Sequence, residues 1–113
     1  MIVQHGEIIH VVFLQLFEGD SKRHFVGTVE LCEGNLVRVV GYQFIEETKF
    51  GRVTNFVKRD DVRTRIIALD GEYLIVNVLP KTVDIKKITY KYDVAGAIRV
   101  TDGSDWHLDL SQL

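Results

Sequence analysis

The chain has very few of the residues that cross-link or interrupt small proteins. Its 113 residues include one cysteine, Cys32, and one proline, Pro80. A lone cysteine cannot form an internal disulfide, which excludes the cross-linked framework of small secreted domains. Spaced clusters of Cys and His are absent as well, so we expect no metal site and no cofactor. The apolar fraction of 46% is sufficient for one core, and we expect a single domain over residues 1–113.

Long apolar runs and a leader-like pattern are also missing. The longest apolar run, residues 11–14, is far too short to span a membrane, and residues 1–6 carry no basic region. We therefore expect a cytoplasmic protein that does not associate with membranes. The net charge of −2 gives no general attraction for polyanions, so any nucleic-acid binding would have to use a local basic patch.

Three dipeptides typical of tight turns are present: Gly34-Asn35, Asp70-Gly71 and Asp102-Gly103. Each lies between apolar, β-branched runs, a pattern that predicts β-hairpins. Strands are expected over residues 7–17, 23–32, 36–45, 52–57 (an edge strand), 62–69, 72–79, 88–92, 97–101 and 105–110. Residues 82–88 form either one short helical turn, which we favour, or the start of a strand. The fold class is all-β: an antiparallel meander of about eight strands forming a small barrel or a curled sandwich.

The turns also predict which residues face each other across neighbouring strands. Two-residue turns at the first two dipeptides and a three-residue loop at the third fix the register of each hairpin. The opposed pairs expected are Phe25 with Phe44, Gly27 with Tyr42, Val29 with Val40, Ile66 with Ile75, Arg65 with Val76, and Val100 with Trp106.

A basic strip, defined as residues 49–65, is the densest charge cluster of the chain. It holds six basic and two acidic residues and includes two phenylalanines. Cations beside aromatic rings are typical of single-stranded nucleic-acid or anionic-ligand sites. The alternative is a charged edge segment whose Lys and Arg prevent strand pairing and whose Phe residues face the core. The candidate ligand-binding residues are Lys49, Phe50, Arg52, Phe56, Lys58, Arg59, Arg63 and Arg65.

The first strand is apolar on both of its faces. The two sets together exceed what one sheet face of a small domain buries, so the second set is a candidate interface. Its members are Ile9, Val11, Phe13 and Phe17. A second sheet layer covering these residues is the alternative. Self-association as a homo-oligomer, or binding to another protein, is the simplest hypothesis for an exposed set.

Catalytic chemistry has little support in the sequence, and we identify no catalytic residue. His5 and His10 are five residues apart, so on one strand they face opposite sides and cannot share a metal ion. Cys32 has no neighbouring cation that would activate it. We expect a non-enzymatic protein-interaction or assembly module that self-associates. Nucleic-acid or anionic-ligand binding through the basic strip is the alternative, and a small hydrolase or isomerase using His24 or His107 in a cleft is the third hypothesis.

Overall fold

The computed structural model describes residues 2–14, 22–49, 52–59, 61–70, 74–92 and 98–110. Within these residues the chain forms antiparallel strands and a single 3₁₀ turn, which confirms the predicted all-β class. The strands are β1 (Ile8–Phe13), β2 (Arg23–Glu33), β3 (Leu36–Lys49), β4 (Arg52–Lys58), β5 (Arg63–Ala68), β6 (Leu74–Leu79), β7 (Thr89–Tyr92), β8 (Ile98–Thr101) and β9 (His107–Asp109), with the 3₁₀ turn at Ile85–Lys87.

A six-stranded sheet forms the body of the molecule. Five of its strands follow the order β4-β3-β2-β1-β6, and the sixth, β5, pairs with β3. Strand β3 is 14 residues long, and its free edge is shared by two strands. Residues 36–41 of β3 pair with β5, and residues 44–49 pair with β4. In the described part of the chain β5 and β6 do not pair with each other, so the sheet is not a closed barrel.

The first predicted turn is present, but a bulge shifts the register behind it. Glu33 and Leu36 face each other across Gly34-Asn35, and the left-handed φ of 59° at Gly34 suits a primed turn. The pairing then slips by one residue between Val29 and Leu31. An inserted bulge residue has no partner of its own and leaves no sign in the turn sequence.

The bulge makes the predicted facing pairs of this hairpin wrong. Phe25 faces Gln43 rather than Phe44, and Gly27 faces Gly41 rather than Tyr42. The two glycines are required by a close approach of the strands. A Cβ at Gly41 would lie 2.0 Å from the carbonyl oxygen of Val26. Glycines at such positions allow a sheet to bend sharply.

The predicted hairpin at Asp70-Gly71 is also wrong. Strand β5 pairs with β3 and β6 pairs with β1, so Arg65 faces Val39 rather than Val76, and Ile66 faces Arg38 rather than Ile75. Gly71 itself lies outside the described residues.

A connection to the first hairpin accompanies the pairing of β5 with β3. The backbone N–H of Leu69 donates to the carbonyl of Asn35 at 2.8 Å, and the Asn35 side chain donates to the Asp70 carboxylate. These long-range contacts stabilise the pairing of β5 with β3, whereas the turn signal at Asp70-Gly71 favours the pairing of β5 with β6.

The sheet has an inner face, on which Ile9, Val11 and Phe25 lie, and an outer face, on which His10, Val26 and Phe44 lie. The inner core comprises Val3, Ile9, Val11, Phe25, Val29, Val37, Val39 and Ile67. Leu69, after β5, and Leu74 and Val76 of β6 pack against the same core, although β5 and β6 belong to opposite edges. The sheet is therefore curled around its inner face.

The second sheet, β7-β8-β9, covers part of the outer face. Val83, Ile88 and Val100 pack with Ile8 and Val26, and with Tyr42, Phe44 and Leu79, in a second core. Strand β1 is thus covered on both sides, as the alternative interpretation of its sequence required.

This burial corrects the interface assignment for the residues of β1. Ile9 and Val11 are 0% exposed, and Phe13 is partly buried against the inner core. Phe17 lies outside the described residues. Because the curled sheet itself covers Ile9 and Val11, they form no exposed patch in the folded chain.

The last hairpin has a longer loop than predicted. Val100 faces Leu108 rather than Trp106, a shift of two residues that keeps the same faces buried. The Asp102 carboxylate accepts a hydrogen bond from the Ser104 N–H at 3.0 Å and so organises the loop. Trp106 is partly buried against the second core.

The favoured helical turn near residues 82–88 is confirmed as the 3₁₀ turn at Ile85–Lys87. The Asp84 carboxylate caps it by accepting a hydrogen bond from the Lys86 N–H at 3.1 Å. Among the described residues, none of the helical structure is long and apolar enough to cross a membrane.

Candidate functional site

A cavity of about 460 Å³ opens on the inner face of the curled sheet. This volume lies within the usual range for small-molecule sites, which is about 300–1,000 Å³. Five strands contribute to it because the curl brings β5 and β6 to the same side. The lining residues are Phe13, Arg23, Phe25, Gln43, Arg65, Ile66, Ile67, Ala68 and Leu74.

The register of the sheet places the apolar wall. Phe13 faces Leu74 across β1 and β6, and Phe25 faces Gln43 across β2 and β3. Phe25 is buried, and it belongs to the inner core together with Ile67. The wall of the cavity is thus continuous with the hydrophobic core, which holds these side chains in place.

The polar groups of the cavity are Arg23, Arg65 and Gln43. The Arg65 guanidinium donates from Nη2 to Oε1 of the buried Gln43 at 3.3 Å. Both arginines are solvent-exposed, and neither forms an ion pair with a described residue. None of the described residues that line the cavity carries a carboxylate. The cavity therefore combines an apolar wall with an excess of positive charge.

The basic strip does not form one surface. Arg63 and Arg65 lie opposite Gly41 and Val39 in the β3–β5 pair, on the inner side of the sheet. Arg65 lines the cavity, whereas the Arg63 Nε donates to the Asp61 carboxylate at 3.0 Å.

Other members of the strip lie on the opposite side. The Phe56 ring stacks on Tyr90 with a centroid distance of 4.1 Å, and Lys58 lies over the Tyr42 ring and donates to the Lys86 carbonyl at 2.9 Å. Both contacts connect β4 to the second core. This placement agrees with the edge-strand alternative for Phe56.

Four candidate residues of the basic strip remain, and only Arg59 has a side chain within the described part of the structure. Arg59 is exposed after the end of β4. Lys49 and Arg52 occupy facing positions on β3 and β4, with their side chains outside the description, and Phe50 lies outside the described residues.

A buried polar network lies on the outer face, under the second sheet. Nε2 of His10 is 3.2 Å from Nδ1 of His24 and 3.1 Å from the Tyr90 hydroxyl. Nε2 of His24 is 3.1 Å from Oε1 of Glu46, and Nδ1 of His10 is 3.3 Å from Nδ2 of Asn77. In the described part of the chain every buried side-chain N or O atom has a partner.

The contacts assign the protons of this network. Burial, with a smaller effect of His24, lowers the pKa of His10 to about 3, so His10 is neutral at neutral pH. Because the Asn77 amide donates to Nδ1, the His10 proton is on Nε2 and can be donated to Nδ1 of His24. The Nε2–H of His24 then donates to the Glu46 carboxylate.

The network connects the two sheets. Tyr90, from the second sheet, is the member that joins it to the large sheet, and its ring also packs against Phe44 at a centroid distance of 4.9 Å. The cavity lies on the other face of the sheet. Within the described residues no group of His, Cys, Asp and Glu could hold a metal ion.

Sequence reasoning missed both the cavity and the network. His10 and His24 are diagonal neighbours, since His10 faces Val26 while Val12 faces His24. The β1–β2 connection has no tight-turn signal, so nothing fixes that register in advance. His24, named in the enzyme hypothesis, is buried, whereas His107 is exposed on the second sheet, and neither lines the cavity.

Comparisons of the chain with protein-family models, with curated proteins and with solved structures find no match. Functional inference therefore depends on the geometry described above.

Proposed function

We propose that the protein is a non-enzymatic binding protein whose inner cavity holds a small apolar molecule with one anionic group. The observation that supports this proposal is the lining of the cavity, in which the described residues supply apolar side chains and two arginines without an ion pair, and none of them carries a carboxylate. It retains the anionic-ligand alternative raised from the sequence but moves the site from the basic strip to the cavity. Arg65 belongs to both.

Apolar surface removed from water contributes about 25 cal/mol per Å², which favours an alkyl or aromatic ligand body against Phe13, Phe25 and Leu74. A guanidinium presents paired donors that match a carboxylate or phosphate group. Arg23 and Arg65 therefore favour a ligand whose head group is negatively charged.

The protein-interaction hypothesis loses the surface on which it was based, since Ile9 and Val11 are buried. The nucleic-acid hypothesis would require Phe56 to leave its stack on Tyr90 before it could stack on a base. A cytoplasmic location remains a proposal based on the single cysteine and the short apolar runs of the sequence.

Calorimetric titration with decanoate tests the proposal, because decanoate has an apolar chain and one carboxylate. Removing a guanidinium by Arg65→Gln or Arg23→Gln should weaken binding by about 1–2 kcal/mol, or about 5- to 30-fold. The matched control is Arg59→Gln, which removes an exposed charge of the basic strip outside the cavity and should leave the affinity unchanged.

Decanol provides the second control, since it has a chain of the same length without the charge. We expect decanol to bind the wild-type protein more weakly than decanoate does, and Arg65→Gln to reduce that difference. Equal affinities for decanoate and decanol would contradict the anionic preference. Absence of binding by both ligands would contradict the cavity proposal itself.

A further inference from the structure

Strand β6 forms one outer edge of the large sheet. Its ladder partner is β1, and within the described chain its backbone makes no hydrogen bond to any other segment. A strand edge presents unpaired N–H and C=O groups, which are a template for another strand. A further β-strand is the kind of partner that could complete the backbone hydrogen bonds of this edge.

The composition of β6 differs from that of the opposite edge. Strands β4 and β5 contain Arg52, Lys58, Arg63 and Arg65, and charged side chains on an edge oppose strand pairing. Strand β6, Leu74–Leu79, has no charged residue, and Asn77 is its one polar residue. Val78 is 51% exposed at this edge.

We infer that β6 pairs antiparallel with β6 of a second copy of the chain, forming a two-fold symmetric dimer with a continuous sheet. This inference is independent of the proposed function. In antiparallel pairing, residues that face each other lie on the same side of the sheet. A two-fold axis at Asn77 satisfies this rule and places Val76 opposite Val78 of the second copy, and Ile75 opposite Leu79.

A second copy fits this edge because the strand is complementary to itself. The two-fold arrangement repeats the Val76–Val78 contact on both sides of the axis, so each exposed Val78 gains an apolar neighbour. The pairing brings no like charges together, since β6 has none. Closed two-fold dimers are also the commonest assemblies of soluble proteins.

A competing surface exists on the outer face beyond the second sheet. Leu31 and Leu36 are exposed there beside the Arg38–Glu30 ion pair, at 46% and 45%. This patch lies on the face of the β2-β3-β5 ladder, and the edge strand β5 beside it carries Arg63 and Arg65, which oppose the pairing of a further strand. It serves as the matched control.

Sedimentation velocity on the full chain, from micromolar to millimolar concentration, tests the inference. We expect a concentration-dependent dimer in the wild-type protein and in Leu31→Lys, and a monomer in Val78→Lys. Both variants place a lysine at an exposed position, and circular dichroism establishes that each is folded. If Val78→Lys is misfolded, Val78→Thr provides the weaker polar substitution and should still shift the mass towards the monomer.

Two results would overturn the inference. A wild-type protein that remains monomeric over the whole range would exclude self-pairing of β6. Dissociation by Leu31→Lys without dissociation by Val78→Lys would assign the dimer to the outer-face patch. The decanoate titration is unaffected by either result, because Arg65→Gln and Val78→Lys alter different surfaces.

Discussion

Acidification should destabilise the folded protein through His10. This side chain is fully buried and contacts His24, Tyr90 and Asn77. Glu46 in turn is hydrogen-bonded to His24. Burial and the neighbouring His24 lower its pKa from 6.5 to about 3. Since the unfolded chain binds a proton near pH 6.5 and the folded chain does not, the free energy of unfolding must fall as the pH falls below that value.

The magnitude follows from the same two pKa values. The stability contributed by neutral His10 is complete above pH 6.5 and is lost progressively down to about pH 3. One pH unit across this interval corresponds to about 1.4 kcal/mol, so acidification from about pH 8 to about pH 5 should cost about 2 kcal/mol. That is a large fraction of the stability of a small domain, which is about 5–15 kcal/mol.

Urea unfolding at a series of pH values measures this effect, and two variants isolate it. Glutamine at position 10 can hydrogen-bond but cannot titrate, so His10→Gln should lower the stability near pH 8 by about 1–3 kcal/mol and flatten the pH dependence. His107→Gln removes an exposed histidine and should keep the wild-type slope. A His10→Gln protein with an unchanged slope between about pH 8 and pH 5 would refute the reasoning.

Two further predictions concern the close strand contact and the buried tyrosine. Gly41→Ala should destabilise the protein by at least about 3 kcal/mol in thermal unfolding, because its Cβ would meet the Val26 carbonyl oxygen at 2.0 Å. Gly34→Asn is the control, because asparagine tolerates the φ of 59° at this position, and it should change the stability by less than about 1 kcal/mol. Equal losses of stability in the two variants would contradict the close contact at Gly41. Burial, with a smaller effect of Glu46, raises the pKa of Tyr90 well above 10.0, so neutral Tyr90 stabilises the fold below that pH and this contribution is lost above it. In an alkaline absorbance titration the difference between wild type and Tyr90→Phe should show no phenolate near pH 10 while the protein is folded, and a phenolate signal there would contradict the burial.

Local signals in the sequence were sufficient for the class and for several elements. The Gly34-Asn35 turn, the edge strand β4 and the capped turn after Asp84 all depend on residues that are close in the chain. Backbone conformation at a turn or cap is set by its own few residues, so these features can be predicted one at a time.

The remaining features depend on contacts between distant residues. The bulge after Val29 changes which side chains share a face, yet no turn residue marks it. The pairing of β5 with β3 overrode the signal at Asp70-Gly71 and left β5 and β6 on either side of the inner face. The cavity results from this pairing of β5 with β3. The contact of His10 with His24 depends on the β1–β2 register, which no tight turn fixes.

The central claim is that the inner cavity holds an apolar molecule with an anionic group, and amide NMR spectra recorded during a decanoate titration test it most directly. The account predicts saturable shifts for amides that line the cavity, such as those of Phe25, Gln43 and Ile67, with little change at His10 or Val100 on the other face. Shifts confined to residues 52–59 of the basic strip, or no saturable shifts at all, would contradict it.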